Sequence, residues 1–532
     1  MAGVARRVVA RRVVDWTRAG NDDRKAWWVS FALFVVVTGC WALATPIFGS
    51  PDEPAHAIRA VSVVRGQVLG DEPRHEPPNP FSLVPHGLRG SLAVRIPAVW
   101  AKWENVDCYI FRKEVTADCL SFAGRDDRDA TVYTTAGRHP PAYYAVTGIP
   151  SLVWPGGAGA VYLMRAVNVL LTSALLASAV LTVRRTRVPR LGAIGLALAV
   201  TPMVLFLSGT VNPSGLEIAA AIALWAGLAV LLREAAKQVD SRLVTRVGVA
   251  ATVLVLVRSI SPFWALGIAL VLCLVASRAA LRNLLEARVA RIWAAVVAAA
   301  ALAQAVWVLV VGTLDATAFS TSKVSDSTSQ IARNVVGKEF RLLREMIGFF
   351  GWLDTPAPAL TRVLWLFALS GAVVLAVAFG RSAYARAIFA ALALTVVVPA
   401  ITEGLAARDA GYYWQGRYTL PIAVGVPILA GLALSERRLE IPHTGRWVVV
   451  AGTSIGVAHV AAFGQALRRY TVGYDGTVLF FTQARWHAPL PALLLLIVFA
   501  LGIVSLLAWL VGPADTARAA GEPLRAAAPA RA

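Results

Sequence analysis

Asp52 and Glu53 stand side by side between Pro51 and Pro54, directly after the first long apolar run, and His56 and Arg59 follow at helical spacing. If Asp52 to Arg65 is helical, Asp52, His56 and Arg59 fall within about 60° of one another, with Glu53 about a quarter-turn away. Acids favour the positive N-terminal end of a helix, so capping accounts for one carboxylate. It does not account for a carboxylate, an imidazole and a guanidinium on one face where the chain leaves an apolar run, and such residues are site candidates.

Other polar residues recur at matching positions. Asn212, followed by Pro213, reads as a helix cap, and Glu217 lies one turn further on. Arg258 ends an apolar run, Trp352 and Asp354 share the segment that also holds Glu345, and Arg417 follows Tyr412, Tyr413 and Trp414. His139, Tyr143 and Tyr144 form a His-Pro-Pro-Ala-Tyr-Tyr run. A carboxylate with several arginines suits transfer from a phosphate-linked donor. Arginine neutralises the departing phosphate, and the carboxylate takes a proton from the attacking hydroxyl. Arg59, Arg258 and Arg417 are the candidate phosphate ligands, and Asp52 is the candidate base with Glu53 supporting it. His56, His139, Tyr143, Tyr144, Asn212, Glu217, Trp352 and Asp354 are candidate supporting or substrate-binding residues. Aromatics at such positions stack on sugars or mark a membrane interface. No phosphate-binding glycine loop or dinucleotide fingerprint is present, and no metal ligands are assigned. No cofactor is assigned, and the sequence leaves a divalent metal open.

The elements that position these residues are membrane helices. The 532 residues are 57% hydrophobic and 15% charged, with mean hydropathy +0.63, so lipid must solvate much of the chain. The net charge of +20 is spread in short clusters between apolar runs, which excludes a nucleic-acid-binding surface and reports topology. Apolar runs at 27–47, 158–183, 190–208, 213–233, 245–260, 263–277, 290–312, 360–379, 384–403, 418–434, 446–466 and 488–511 predict an all-α polytopic protein with about twelve spans. The basic leader (Arg6, Arg7, Arg11, Arg12, Arg18, Arg24, Lys25) and alternate basic connections, such as Arg184/Arg185/Arg187 and Arg437/Arg438/Arg446, place both termini in the cytoplasm. Residues 48–157, 313–359, 404–417 and 467–487 then lie outside a plasma membrane. The organisation expected is a basic segment over 1–26, a membrane domain over 27–511 and a disordered cytoplasmic tail over 512–532. The first leader-like run is read as an uncleaved signal anchor.

The segment His139 to Trp154 is too short to span and carries Tyr and Trp, which predicts a helix lying in the interface. Cys108 and Cys119 share the long first external loop, where oxidation is permitted, and are expected to pair; Cys40 and Cys273 sit alone in apolar runs.

The ordered set SPDEPAH, NPSGLEIA, EMIGFFGWLDTPAP and QGRYTLPI, from Ser50 to Ile422, resembles the multi-pass membrane family known as domain of unknown function 2142. That family in turn is similar to the GT-C glycosyltransferases, which carry an acidic pair in the first external loop and a Pro-Pro-aromatic interfacial helix. Asp52-Glu53 and His139 to Tyr144 match those features. The resemblance implies a polyprenyl-phosphate sugar donor, with Asp52 as base, and an envelope glycan or glycolipid as acceptor. GT-C enzymes often end in a soluble external domain; no such domain is read in this sequence. The competing readings are a secondary transporter or flippase, which would place charges at the bilayer midplane, and a non-catalytic envelope scaffold.

Overall fold

The computed structural model describes residues 2–72, 91–101, 108–120, 128–154, 156–313, 324–436 and 444–512. The tail expected beyond 512 lies outside the described residues.

The chain begins with α1 (Ala2–Ala44) and the short α2 (Glu53–Val64). A two-stranded antiparallel ribbon follows, β1 (Leu92–Pro97) with β2 (Asp129–Thr134), in register from Leu92 opposite Thr134 to Pro97 opposite Asp129. Next come α3 (Pro141–Thr147), α4 (Pro150–Val153), α5 (Gly157–Val183), α6 (Pro189–Ala199), α7 (Pro202–Ser208) and α8 (Pro213–Glu234). The middle of the chain forms α9 (Ser241–Val257), α10 (Ser261–Cys273), α11 (Arg278–Glu286), α12 (Arg288–Val311), α13 (Thr328–Gly337) and α14 (Glu339–Ile347). A small ribbon, β3 (Phe349–Phe350) with β4 (Thr355–Pro356), precedes α15 (Ala359–Phe379), α16 (Ser382–Ala410), α17 (Gly416–Ala423), α18 (Gly425–Ser435), α19 (Thr444–Val472) and α20 (Ala492–Val511).

The protein is a polytopic helical membrane protein. All twelve apolar runs are helical, but they do not all span. Among the described residues nine helices are long and apolar enough to cross a membrane, or ten if the α6–α7 pair, bent by 66°, is one span. The two runs that fall short are α9 and α10. Their 17 and 13 residues, at 1.5 Å per residue, reach roughly 25 and 20 Å against a hydrocarbon core of about 30 Å. The chain breaks between them at Arg258, whose extended backbone ends α9. Two short ribbons also interrupt the expected all-α pattern, both in connections between helices.

The bundle is organised around α8, 94% buried over its span, whereas α12 and α15 are only 17% and 22% buried and turn most of their surface to lipid. α8 packs between α5 and α9, with α17 and α18 completing its surround; α1 packs on α5 and α20. Small residues bring α6 and α18 together, since a Cβ on Gly195 would lie 2.4 Å from the Pro427 carbonyl oxygen. This is how membrane helices gain dispersion contact without a hydrophobic drive. The segment expected to lie in the interface is two short helices, α3 and α4. Tyr143, Tyr144, Thr147 and Ser151 are buried, and Val146, Ile149, Leu152, Val153 and Trp154 are exposed, the division a membrane-surface helix requires.

Candidate active site

Between α1 and α2 the chain makes a corner, and Asp52 occupies it with φ 62° and ψ 2°. That left-handed conformation costs a non-glycine residue about 1–2 kcal/mol, least for Asn and Asp. Asp52 is the N-cap residue of α2 yet its side chain makes no capping hydrogen bond. The carboxylate instead accepts from Arg417 Nη2 at 2.5 Å and keeps 46% of its surface exposed. Because Asp52 lies outside the helical register, the expected stripe is split. His56 and Arg59 face α3, and Asp52 turns to α17.

Glu53 points into the protein. Arg165 of α5 grips it bidentately, Nε to Oε1 at 2.7 Å and Nη2 to Oε2 at 2.6 Å, with both side chains fully buried. The Val211 amide donates to the same carboxylate at 2.9 Å. Arg165 spends its remaining hydrogens on the carbonyls of Ala42, Thr45 and Pro46. One ion pair thereby ties α5, the end of α1, the start of α2 and the α7–α8 turn. Asn212 adds to the tie, capping α8 through the Ser214 amide at 2.9 Å and donating to the Pro51 carbonyl at 3.0 Å. Glu53 and Asn212 hold the corner on which Asp52 stands.

Arg417 enters from the first turn of α17. The preceding Gly416 amide donates to Glu345 of α14 at 2.7 Å, and a Cβ on Gly416 would lie 2.5 Å from the Leu342 carbonyl oxygen, so glycine is required there. Arg417 also donates to the Tyr418 hydroxyl at 3.0 Å, while its Nε and Nη1 have no partner. The Tyr418 ring lies between two guanidiniums, 5.0 Å from Arg417 and 4.7 Å from Arg258. Arg258, at the break between α9 and α10, donates to Glu217 Oε2 and to Ser214 Oγ, each at 3.2 Å. Glu217, fully buried, also accepts from the Ser261 hydroxyl at 2.6 Å.

The α2–α3 face carries the remaining polar groups. His56 Nδ1 and the Tyr144 hydroxyl share a 2.8 Å hydrogen bond, and the His56 and His139 rings are 5.7 Å apart. Tyr143 packs edge-on to Tyr144. Arg59 donates to the His139 carbonyl at 2.9 Å. Burial drives the His139 pKa down to about 3, reinforced by Arg258 and Arg59. Burial likewise holds His56 well below the usual imidazole range, helped by His139, Arg258 and Arg417. Both rings are therefore neutral at neutral pH.

Trp352 donates to the Phe48 carbonyl at 2.9 Å, beside the same corner. Asp354 pairs with Arg469 of α19 at 3.0 Å. Arg469 also donates to the carbonyls of Val115, Tyr109 and Arg112, which lie in the loop that the Cys108–Cys119 disulfide closes. Asp354 thus fastens this loop to the bundle. Among the described residues no three His, Cys, Asp or Glu side chains converge as a metal site. The carboxylates of the acidic pair face different arginines, Asp52 towards Arg417 and Glu53 towards Arg165.

The profile of a family described as predicted membrane protein, DUF2142, matches residues 33–426. The chain belongs to this family. No curated protein matches it. Two crystal structures of ArnT from Cupriavidus metallidurans are similar to it at 14% identity. The one bound to undecaprenyl phosphate has a TM-score of 0.42 and the one in the apo state 0.40; the matches cover 91% and 92% of this chain and 77% of theirs.

In this DUF2142 member the four motif segments meet at one end of the bundle. Asp52, Arg417, Tyr418, Arg258 and Glu217 form one connected group, and His56, Arg59, His139 and Tyr144 form another beside it. Asp354 joins neither. Arg165, Tyr418, Ser261 and Arg469 complete these contacts without having been singled out in the sequence. Arg165 carried the same signal as Arg258, a lone arginine in an apolar run.

Proposed function

We propose that the protein is a membrane glycosyltransferase that moves a sugar from a polyprenyl-phosphate donor to an envelope glycan or glycolipid. The observation that carries this reading is a half-exposed carboxylate, Asp52, beside the Arg417 guanidinium, whose Nε and Nη1 have no partner. The donor phosphate binds Arg417, and Arg258 adds positive charge across the Tyr418 ring. Asp52 takes the proton of the acceptor hydroxyl as its oxygen attacks the anomeric carbon. The bond from that carbon to the phosphate oxygen breaks, and the phosphate leaves with the electron pair, stabilised by the arginines.

The site is extracytoplasmic and both termini are cytoplasmic in this reading. Two features support it. The basic connections around Arg185 and Arg233, with their partners Asp240 and Glu436, lie between helices at the ends remote from Asp52, as the positive-inside rule requires. The disulfide loop sits at the Asp52 end, where oxidation is permitted.

The test is donor consumption by purified protein supplied with radiolabelled polyprenyl-phosphate sugars and an envelope glycan fraction. A positioned base contributes about 10²–10⁴-fold, so Asp52→Asn should lower turnover by that order. Equal turnover in wild type and Asp52→Asn with every accepted donor removes the catalytic role. Movement of intact donor across vesicles without cleavage points instead to a transporter.

A further inference from the structure

Five arginines in and beside the site have a carboxylate partner: Arg165 with Glu53, Arg258 with Glu217, Arg417 with Asp52, Arg469 with Asp354 and Arg138 with Glu72. Arg59 is fully buried and has no carboxylate partner among the described residues. It makes one hydrogen bond, to the His139 carbonyl, while Nε and Nη1 have no partner. Its other neighbours are the Tyr144 ring at 5.8 Å and the Trp307 ring of α12 at 6.0 Å. Neither α3 nor α12 contains an acidic residue. On α2 the only acid is Glu53, already held by Arg165. An uncompensated buried charge costs several kcal/mol, and two aromatic faces offset only part of it.

We propose that Arg59 anchors a second anion site, separate from the Arg417–Arg258 pair, which takes an oxyanion group of a substrate. Calling the ligand a substrate rests on the transferase reading; the presence of the site does not. A phosphate or a carboxylate supplies the missing negative charge and accepts from Nε and Nη1, as charge-assisted hydrogen bonding requires. The chemistry is the same whether the group is a second phosphate on the donor lipid or an acidic sugar on the acceptor. The cover of the site is α12. Trp307 Nε1 and the Thr313 hydroxyl both donate to the Arg138 carbonyl, at 3.0 and 3.2 Å, and Arg138 Nη1 returns a bond to the Val311 carbonyl at 3.0 Å. This clasp holds the lipid-facing α12 against the residue preceding His139, so entry of an anion loosens it.

The experiment measures thermal unfolding of the purified full-length protein in detergent, with and without inorganic phosphate, pyrophosphate or glucuronate. Wild type, Arg59→Met, Arg59→Lys and Arg417→Met are compared. Without added anion, Arg59→Met should melt at or above wild type, because it removes an unpaired buried charge at similar volume. At saturating anion the wild-type midpoint should rise by several degrees, and Arg59→Met should lose at least half of that rise, with Arg59→Lys retaining more. Arg417→Met should keep the Arg59-dependent part. A shift with pyrophosphate or phosphate assigns the site to a phosphate group, and a shift with glucuronate alone assigns it to a uronic acid. Three outcomes overturn the proposal: a clear fall in the anion-free midpoint of Arg59→Met, an anion-induced shift unaffected by Arg59→Met, or complete loss of the shift in Arg417→Met. Because turnover is not read, failure of the transferase reading leaves this result standing, and the reverse also holds.

Discussion

Arg417 Nη2 lies 2.5 Å from the Asp52 carboxylate although 365 residues of chain separate them. The contact closes the first turn of α17 onto the α1–α2 corner and leaves two guanidinium nitrogens, Nε and Nη1, without partners. Lysine carries the charge but cannot hold Asp52 and a phosphate in one planar fork. Arg417→Lys should therefore weaken donor binding at least tenfold and leave the thermal midpoint near that of wild type. Titration of a polyprenyl phosphate into both proteins measures this, and equal affinities would remove Arg417 from the donor site.

The two acids of the pair should fail in different ways. Glu53→Gln leaves Arg165 buried without a counter-charge, a loss of about 3–5 kcal/mol. Asp52→Asn changes a half-exposed residue and keeps a side chain that tolerates the left-handed backbone. Thermal melts should show a large fall for Glu53→Gln and little for Asp52→Asn, with the order of turnover reversed once folded protein is compared. Adding Arg165→Met to Glu53→Gln should recover part of the lost stability.

Stability should fall as the pH drops below about 6.5. His139 is depressed from 6.5 to about 3 in the folded protein, and His56 is also held down. Over that window the unfolded chain binds protons that the folded chain does not, so unfolding becomes easier with acid. Arg59, Arg258, Arg417 and Asp52 are the charged groups that act on the two rings. Melting points between pH 4 and 8 should therefore slope less steeply in His139→Gln. An unchanged slope would contradict neutral histidines at this position.

Cys108 and Cys119 close a loop held to α19 by Arg469. Replacing both with serine should destabilise the protein by about 2–4 kcal/mol. Mass spectrometry of non-reduced wild type should find neither thiol free. Membrane-impermeant labelling should reach a cysteine reporter at Ser325 from outside and one at Arg185 only after permeabilisation; the opposite pattern would invert the topology.

The ends of the apolar runs were readable because a lone charge there is costly, which marked Asp52, Arg258 and Arg417, and the structure gathers those three. The same logic applied to Arg165, in the run 158–183, and would have explained Glu53. Adjacent acids cannot be told apart from spacing alone. Helical spacing puts Asp52 on one face with His56 and Arg59 only if Asp52 belongs to α2, and its positive φ removes it from the register. Pairings across hundreds of residues, such as Asp354 with Arg469, leave no local pattern. The breaking of 245–277 into two short helices depends on where Arg258 must point, which is a tertiary demand. The β1–β2 ribbon gave no sign because its strands lie far apart in a long polar loop.

Four ion pairs share an order along the chain: Glu53 precedes Arg165, Glu217 precedes Arg258, Asp52 precedes Arg417 and Asp354 precedes Arg469. Asp52, Glu53 and Asp354 lie at or beyond helix ends, whereas Arg165, Arg417 and Arg469 belong to apolar spans, Arg417 in the first turn of α17 and Arg469 in the last turn of α19. An arginine entering hydrocarbon during synthesis costs roughly 2.5–3.5 kcal/mol at a helix centre. Each of these arginines leaves the ribosome after the acid that will neutralise it is already in the chain. For Arg417 the wait spans 365 residues, so the carboxylate at Asp52 finds its partner only when α17 has been made, with α18, α19 and α20 still to follow. The nascent protein thus carries an unfinished site until α17 arrives.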